Sequence, residues 1–272
     1  MKNINQKGQT LLIAIMLLAT ALTVVLAVSF RSTTETSLTK LEEEHQKALA
    51  AAEAGIQAAL QKGNTNLASL NVPTGFTGNA SVSTTTKTTF VSPLLQKDEQ
   101  YTFYLTSPGG SVDDPNFANL TPNSAFSNLP LTICFGSSTS APALDISLIR
   151  SDKVIKYAVN PISPAATIIT GNNVSTAASP AANDCPSGTV SFTNKFNIPP
   201  ADVGLASLLL VVHVLSPSPI STYLGLQSTG GNLPFQGRTI VSNAHSPGGV
   251  STTVQLFQSY PQIPSDFFVT SF

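Results

Sequence analysis

The side chains that could do chemistry are few and scattered. His45, His213 and His245 stand apart from one another, without the spacing of metal ligands. His213 lies in an apolar run and reads as a core or sheet-face residue. Ser37-Leu38-Thr39-Lys40 has the Ser-x-x-Lys spacing of an activated serine. It falls on a long helical pattern, however, and lacks the companion motifs of that chemistry. The pairs Gly109-Gly110, Gly230-Gly231 and Gly248-Gly249 sit among turn residues, and none opens a helix as a phosphate loop would. Asp113-Asp114-Pro115-Asn116 offers oxygens without the regular spacing that calcium requires, and reads as a solvated turn. Asn79-Ala80-Ser81, Asn119-Leu120-Thr121 and Asn173-Val174-Ser175 fit the glycosylation pattern, which a Ser/Thr/Asn-rich chain produces readily by chance. These residues predict no catalytic site, no metal and no cofactor, so an enzyme is a distant third among the function classes.

Charge points the same way. Only 10% of the 272 residues are charged and the formal net charge is -1. Cytosolic enzymes carry roughly a quarter charged residues, and a near-neutral chain has no electrostatic footprint for nucleic acid. Abundant polar uncharged residues suit an exposed extracellular domain, while 42% hydrophobic residues argue against disorder.

Something must hold such a domain, and the N-terminus supplies it. Lys2 and Lys7 precede an uncharged run from Gly8 to Phe30, and Arg31 is the first charge after it. Twenty residues at about 1.5 Å each cross a hydrocarbon core of roughly 30 Å. The two lysines favour a cytoplasmic N-terminus and place the remainder outside. A cleaved secretory signal would need a shorter apolar core, with Leu26-Ala27-Val28-Ser29-Phe30 as its cleavage site. An ordinary single-pass anchor is the stronger rival.

Beyond the apolar run, residues 31–62 contain no proline and only Gly55 among glycines, and are rich in strong helix formers. Leu38, Leu41, His45, Ala48, Ala52, Ile56 and Ala59 recur at spacings of three and four, which puts them on one stripe. Gly63-Asn64 is a C-terminal stop. The two halves predict one continuous rod of about 80 Å. Its first half suits lipid and its second half can cover a sheet. Within the stripe, the C-terminal residues around Ile56 should lie against that sheet.

These residues carry a family resemblance. Lys7-Gly8-Gln9-Thr10-Leu11-Leu12 resembles a prepilin peptidase site, a basic leader ending in Gly before an apolar helix. Arg31-Ser32-Thr33-Thr34, Gln46-Lys47-Ala48 and Ala51-Ala52-Glu53-Ala54-Gly55-Ile56 resemble the N-terminal region of PilX-type minor pilins. The likeness covers about the first 60 residues, and its strength lies in all the pieces occurring in order. The tail from Val254 to Pro264, with Phe267-Phe268, resembles the ends of some pilin-like chains less specifically.

The resemblance implies cleavage between Gly8 and Gln9 by a prepilin peptidase, with Gln9 as a new N-terminus open to methylation. It implies a subunit held in the membrane until the pilus assembly machinery extracts it to join other pilins in a surface filament. It implies an α+β pilin-like fold. Pilins usually carry Phe at the first mature position and Glu at the fifth; here Gln9 and Ile13 stand there. That Glu is thought to pair with a neighbouring subunit's terminal amine. Its absence resembles the type II secretion tip pseudopilin and favours a minor or tip role over a major pilin. The competing class is a membrane-anchored surface-binding protein that never polymerises.

The expected organisation is a leader over 1–8, a transmembrane helix over 9–30, its amphipathic continuation over 31–63, a linker with early strands over 64–99, and a β-rich region of one or two subdomains over 100–272. Strands are predicted at Tyr101–Thr106, Leu131–Phe135, Leu144–Ile149, Lys153–Val159, Val190–Phe196, Ala206–Leu215, Tyr223–Gln227, Thr239–Asn243 and Val250–Gln258. The run Leu208–Leu215 is apolar on both faces apart from His213, as a central strand would be. Cys134 and Cys185 are the only cysteines. In an external compartment they read most simply as a disulfide. The alternative is two unpaired thiols, with Cys134 a small core residue.

Overall fold

In the computed structural model of the chain, the described residues are 7–70, 74–84, 86–111, 115–121, 129–188 and 190–263, less the side chains of 7–10, 68 and 121. One helix, α1 (Lys7–Lys62), carries the whole N-terminal region. It ends where the sequence stops favouring it: Gly63 takes a left-handed φ of 77° and its N–H still reaches the Ala59 carbonyl at 2.9 Å. After α1 come β1 (Thr65–Asn66), β2 (Thr77–Ser83), β3 (Thr89–Val91), β4 (Leu95–Gln96), β5 (Gln100–Tyr104), β6 (Ser107–Gly110), β7 (Pro115–Thr121), β8 (Leu131–Phe135), β9 (Ala143–Arg150), β10 (Val154–Asn160), β11 (Val174–Thr176), β12 (Asn194–Ile198), β13 (Ser207–Leu215), β14 (Ser221–Thr222), β15 (Leu224–Ser228), β16 (Gly237–His245) and β17 (Ser251–Ser259). The fold is α+β, a long N-terminal helix packed on a β-rich region.

The chain forms two compact units. One takes in the residues up to Ser81 together with Val241–Gln255; the other takes in Val82–Ile240 and the residues from Leu256 onward. In the first unit, the C-terminal half of α1 packs on parts of the sheet ordered β1-β2-β16-β17. Ala48, Ala51 and Ala52 are buried with Leu67, Phe76 and Ala244, and Val254 packs against them. Small side chains allow the close approach. At Gly55, a Cβ would fall 2.3 Å from the Ser242 hydroxyl and 3.2 Å from Leu67 Cδ1.

The second unit is a two-layer β-sandwich. A five-stranded sheet, ordered β11-β10-β9-β13-β5, faces a four-stranded sheet, ordered β12-β8-β15-β3. All pairings within these two sheets are antiparallel except β10 with β11. Alternate residues from both layers form one core: Phe103, Leu144, Ile146, Leu148, Leu210 and Val212 meet Leu131, Ile133, Phe135, Ile198, Leu224 and Leu226. β13 is an interior strand, next to the middle strand β9.

The exposed edge of β5 is closed by glutamines. The Gln236 side-chain amide accepts from the Tyr104 N–H and donates to the Tyr104 carbonyl, both at 2.8 Å, as a neighbouring strand's peptide would. Gln262 Oε1 accepts from the Thr102 N–H at 2.6 Å. These contacts satisfy groups that would otherwise template edge pairing.

One sequence expectation needs amendment. Gly109-Gly110 is part of β6, paired with Asn116 and Pro115 of β7, and is not a turn. The described residues of 64–99 hold the strands β1–β4 and a buried Leu67.

Candidate functional site

Residues 1–6 of the predicted leader lie outside the described residues, and the predicted cleavage positions lie at the start of α1. Lys2 is outside the described residues; Lys7, Gly8 and Gln9 lie in the helical backbone from its first residue. From Leu11 onward the apolar residues face outward: Ile13 is 54% exposed, and Leu18 and Phe30 are 72% exposed. This helix is long and apolar enough to cross a membrane, and none of its most apolar stretch is buried. Within the stretch, the Thr20 and Thr23 hydroxyls donate to the carbonyls of Leu17 and Thr20 at 2.9 and 2.8 Å, so neither presents an unpaired donor.

Past that stretch the helix changes character. Arg31 bonds Glu35 at 2.9 Å on the exposed surface, and Lys47 bonds Glu43 at 2.5 Å, holding the Glu43 carboxyl below its ordinary range. Leu38 and Leu41 remain exposed, whereas Ala48, Ala52, Ile56 and Ala59 are buried. The predicted stripe therefore divides as expected. In the Ala51–Gly55 motif, Ala51, Ala52 and Gly55 are buried, Ala54 is half-buried and Glu53 points to solvent. The motif's visible work is packing.

Residues weighed for chemistry stay apart. Ser37 and Lys40 lie on the exposed helix. His45 Nδ1 lies 3.4 Å from the Thr252 hydroxyl. His213 is half-buried on a sheet face, its Nε2 3.0 Å from the Asp98 carbonyl. Among the described residues, no three His, Cys, Asp or Glu side chains converge to hold a metal ion. Asp113 and Asp114 lie outside the described residues. Cys134 and Cys185 form a disulfide, with Cα atoms 5.9 Å apart.

Comparison with protein-family models, curated proteins and solved structures finds no match to this chain.

Sequence reasoning missed one polar cluster. On the outward face of the five-stranded sheet, a single cross-strand row runs Gln100, His213, Asp145, Ala158, Val174. Asp145 sits at its centre, 5% exposed, and its Oδ1 is buried without a hydrogen-bond partner among the described residues. Burial raises its carboxyl above the usual range, against the smaller opposing influence of Lys156 and His213. Beside this row lies a half-open cavity of about 540 Å³, floored by Lys156 and Ala158 and walled by Thr170, Gly171, Asn172, Asn173 and Val174. The signal available in sequence was Asp145, the one acid of its strand, set between Leu144 and Ile146.

The raised Asp145 carboxyl has a consequence for stability. Between its unfolded and folded values the native state holds the extra proton, so this group's contribution falls as pH rises through that window. Asp145→Asn removes the dependence. The melting temperature of the variant relative to the parent chain should increase from acidic to neutral pH, as scanning calorimetry across that range would register. A flat difference would mean that burial does not raise the Asp145 carboxyl.

Proposed function

We propose that this chain is a non-enzymatic subunit of a type IV pilus or pseudopilus, serving as a minor or tip component. The observation that carries the reading is the division of one continuous helix. Its first half is exposed and apolar, and its second half is buried by small residues against a sheet. A helix of that kind can sit in lipid and later exchange lipid for neighbouring helices, with its globular region outside the membrane.

In this reading Lys2 and Lys7 hold the leader inside, and prepilin peptidase cuts between Gly8 and Gln9. Gln9 then becomes a methylated terminus, and the assembly machinery draws the subunit into a surface filament with other pilins. Ile13 sets its position. A Glu there would be costly in lipid unless paired, and could be drawn to a neighbour's amine. Ile13 removes both the cost and the attraction, which suits a subunit that starts assembly. The sparsely charged external region fits a cap.

The test is N-terminal mass spectrometry and quantification in membranes and in sheared surface filaments. The expected mature chain begins at Gln9 and is a small fraction of filament mass. A chain that keeps Met1 in cells with active prepilin peptidase would point to an anchor that never polymerises. Recovery as most of the filament mass would make it a major pilin.

A further inference from the structure

We propose that the outer edge of β17 docks an extended, uncharged segment of a partner chain, which joins the sheet β1-β2-β16-β17 as an added strand. The inference concerns the helix-bearing unit and stands whether or not the chain enters a filament.

The edge of a sheet carries unpaired N–H and C=O groups, and proteins shorten, charge or cover such edges. Among the described residues, the other ends of the four- and five-stranded sheets are managed in those ways. β1, β3 and β11 are only two or three residues long. β5 is closed by Gln236 and Gln262. On β12, Lys195 exchanges two backbone hydrogen bonds with Ala178, both at 2.8 Å. β17 has no such device. It is nine residues long, ends its sheet, and contains no charged residue, proline or glycine. Thr253, Gln255, Leu256 and Phe257 are exposed along it.

The pairing with β16 shows which groups are left over. The Ser246 N–H donates to the Val250 carbonyl at 2.8 Å where the hairpin opens. The Thr253 hydroxyl donates to Asn243 Oδ1 at 2.7 Å across the two strands. With antiparallel alternation from that first bond, Thr252 and Val254 turn their backbone groups toward β16. Ser251, Thr253 and Gln255 then turn theirs outward. A row of donors and acceptors at that spacing fits an extended backbone.

The helix beside this edge selects the side chains. His45 Nδ1 lies 3.4 Å from the Thr252 hydroxyl, and Val254 packs against the cluster of Ala48, Ala51 and Ala52, so α1 and β17 run in the same direction. Leu41 and Leu49 stand one turn to either side of His45 and are 51% and 37% exposed. Four helical residues rise about 6 Å and two strand residues about 6.6 Å. Alternate side chains of an added strand therefore meet Leu41, His45 and Leu49 in turn, a shelf that favours apolar residues over charged ones. A second copy fits this edge poorly. Pairing β17 with β17 about a two-fold axis reverses one helix relative to the other. The two apolar ends could not then share one bilayer, an exclusion that rests on α1 spanning a membrane.

The full chain in lipid nanodiscs would be titrated with a fluorescent, end-capped peptide of alternating valine and threonine. Anisotropy reads the binding, and hydrogen exchange reads the amides of Ser251–Gln255. Binding should saturate and slow exchange at the outward amides. The same peptide N-methylated throughout has no backbone donors and should bind at least about tenfold more weakly. Thr253→Pro should weaken binding by a similar factor, since the missing N–H is an outward one and the pairing with β16 is kept. The methylated peptide is tested on the parent chain, so the proposal stands or falls even where that variant does not fold. No saturable binding, equal binding of the methylated peptide, or outward amides already slow to exchange without peptide overturns the proposal. So does concentration-dependent pairing of nanodiscs that Thr253→Pro abolishes, which would make the occupant a second copy.

Discussion

Ile56→Asp is expected to cost about 3–5 kcal/mol and to unfold the helix-bearing unit. Ile56 is 7% exposed and lies on the buried stripe between Ala52 and Ala59, both fully buried. It follows Gly55, where the helix backbone is pressed against Ser242 and Leu67. The nearest acid along the helix, Glu53 one turn away, would repel a new carboxylate, and no lysine or arginine lies on the stripe. Leu38→Asp is the matched control. Leu38 is 60% exposed on the same helix, so the same change there should move stability by no more than about 0.5 kcal/mol. Urea unfolding of both variants in nanodiscs, followed by circular dichroism, measures the difference. Equal losses at the two positions would mean that the stripe does not hold helix to sheet.

The contrast between those leucine and isoleucine positions also shows what the sequence could tell. Spacings of three and four placed Leu38 and Ile56 on one face, and the structure keeps them there. Burial begins only near Ala48, where side chains become small enough for a sheet to approach. All nine strands expected from apolar or β-branched runs have a counterpart, Leu131–Phe135 with the expected ends, while the one expected at Val190–Phe196 begins only at Asn194. These strands carry their own signal because alternate residues must face a core.

The strands that were not legible are short or polar. Thr77–Ser83 and Ser107–Gly110 pair through backbone groups, which leave no trace in side-chain pattern. At Gly109 the partner strand comes so close that a Cβ would lie 2.9 Å from the Asn119 carbonyl oxygen. A glycine that resembles a turn residue is there because only glycine fits between two strands. The return of Val241–Gln255 to the N-terminal unit was equally hidden, since long-range pairing depends on topology. Asp145 was hidden for another reason: its meaning comes from neighbours on the two flanking strands, β10 and β13.

Removing the disulfide, by Cys134→Ser with Cys185→Ser, is expected to cost about 4 kcal/mol in the chain-entropy model for a loop of 51 residues. The native contacts around the bond indicate what the cross-link secures. On the outward face of the four-stranded sheet, Lys195, Cys134 and Gly225 stand side by side on β12, β8 and β15. The segment that follows β11 crosses this row and is tied to each member. Asp184 pairs with Lys195, Cys185 bonds Cys134, and Phe192 with Pro186 lies so close over Gly225 that a Cβ there would meet the ring at 2.9 Å. Asn183 adds its carbonyl as acceptor for the Gln227 side chain at 2.6 Å. Lys195 and the Ala181 N–H hold the Asp184 carboxyl below its ordinary range, so this tie weakens only in acid. The remaining anchors can keep the segment in place once the native state has formed. The loss should therefore appear as a lower unfolding midpoint, with the native circular dichroism spectrum retained. Reductant should reproduce it in the parent chain and leave the double serine variant unchanged. A variant as stable as the parent would mean that the ion pair and ring contacts hold the segment without the cross-link.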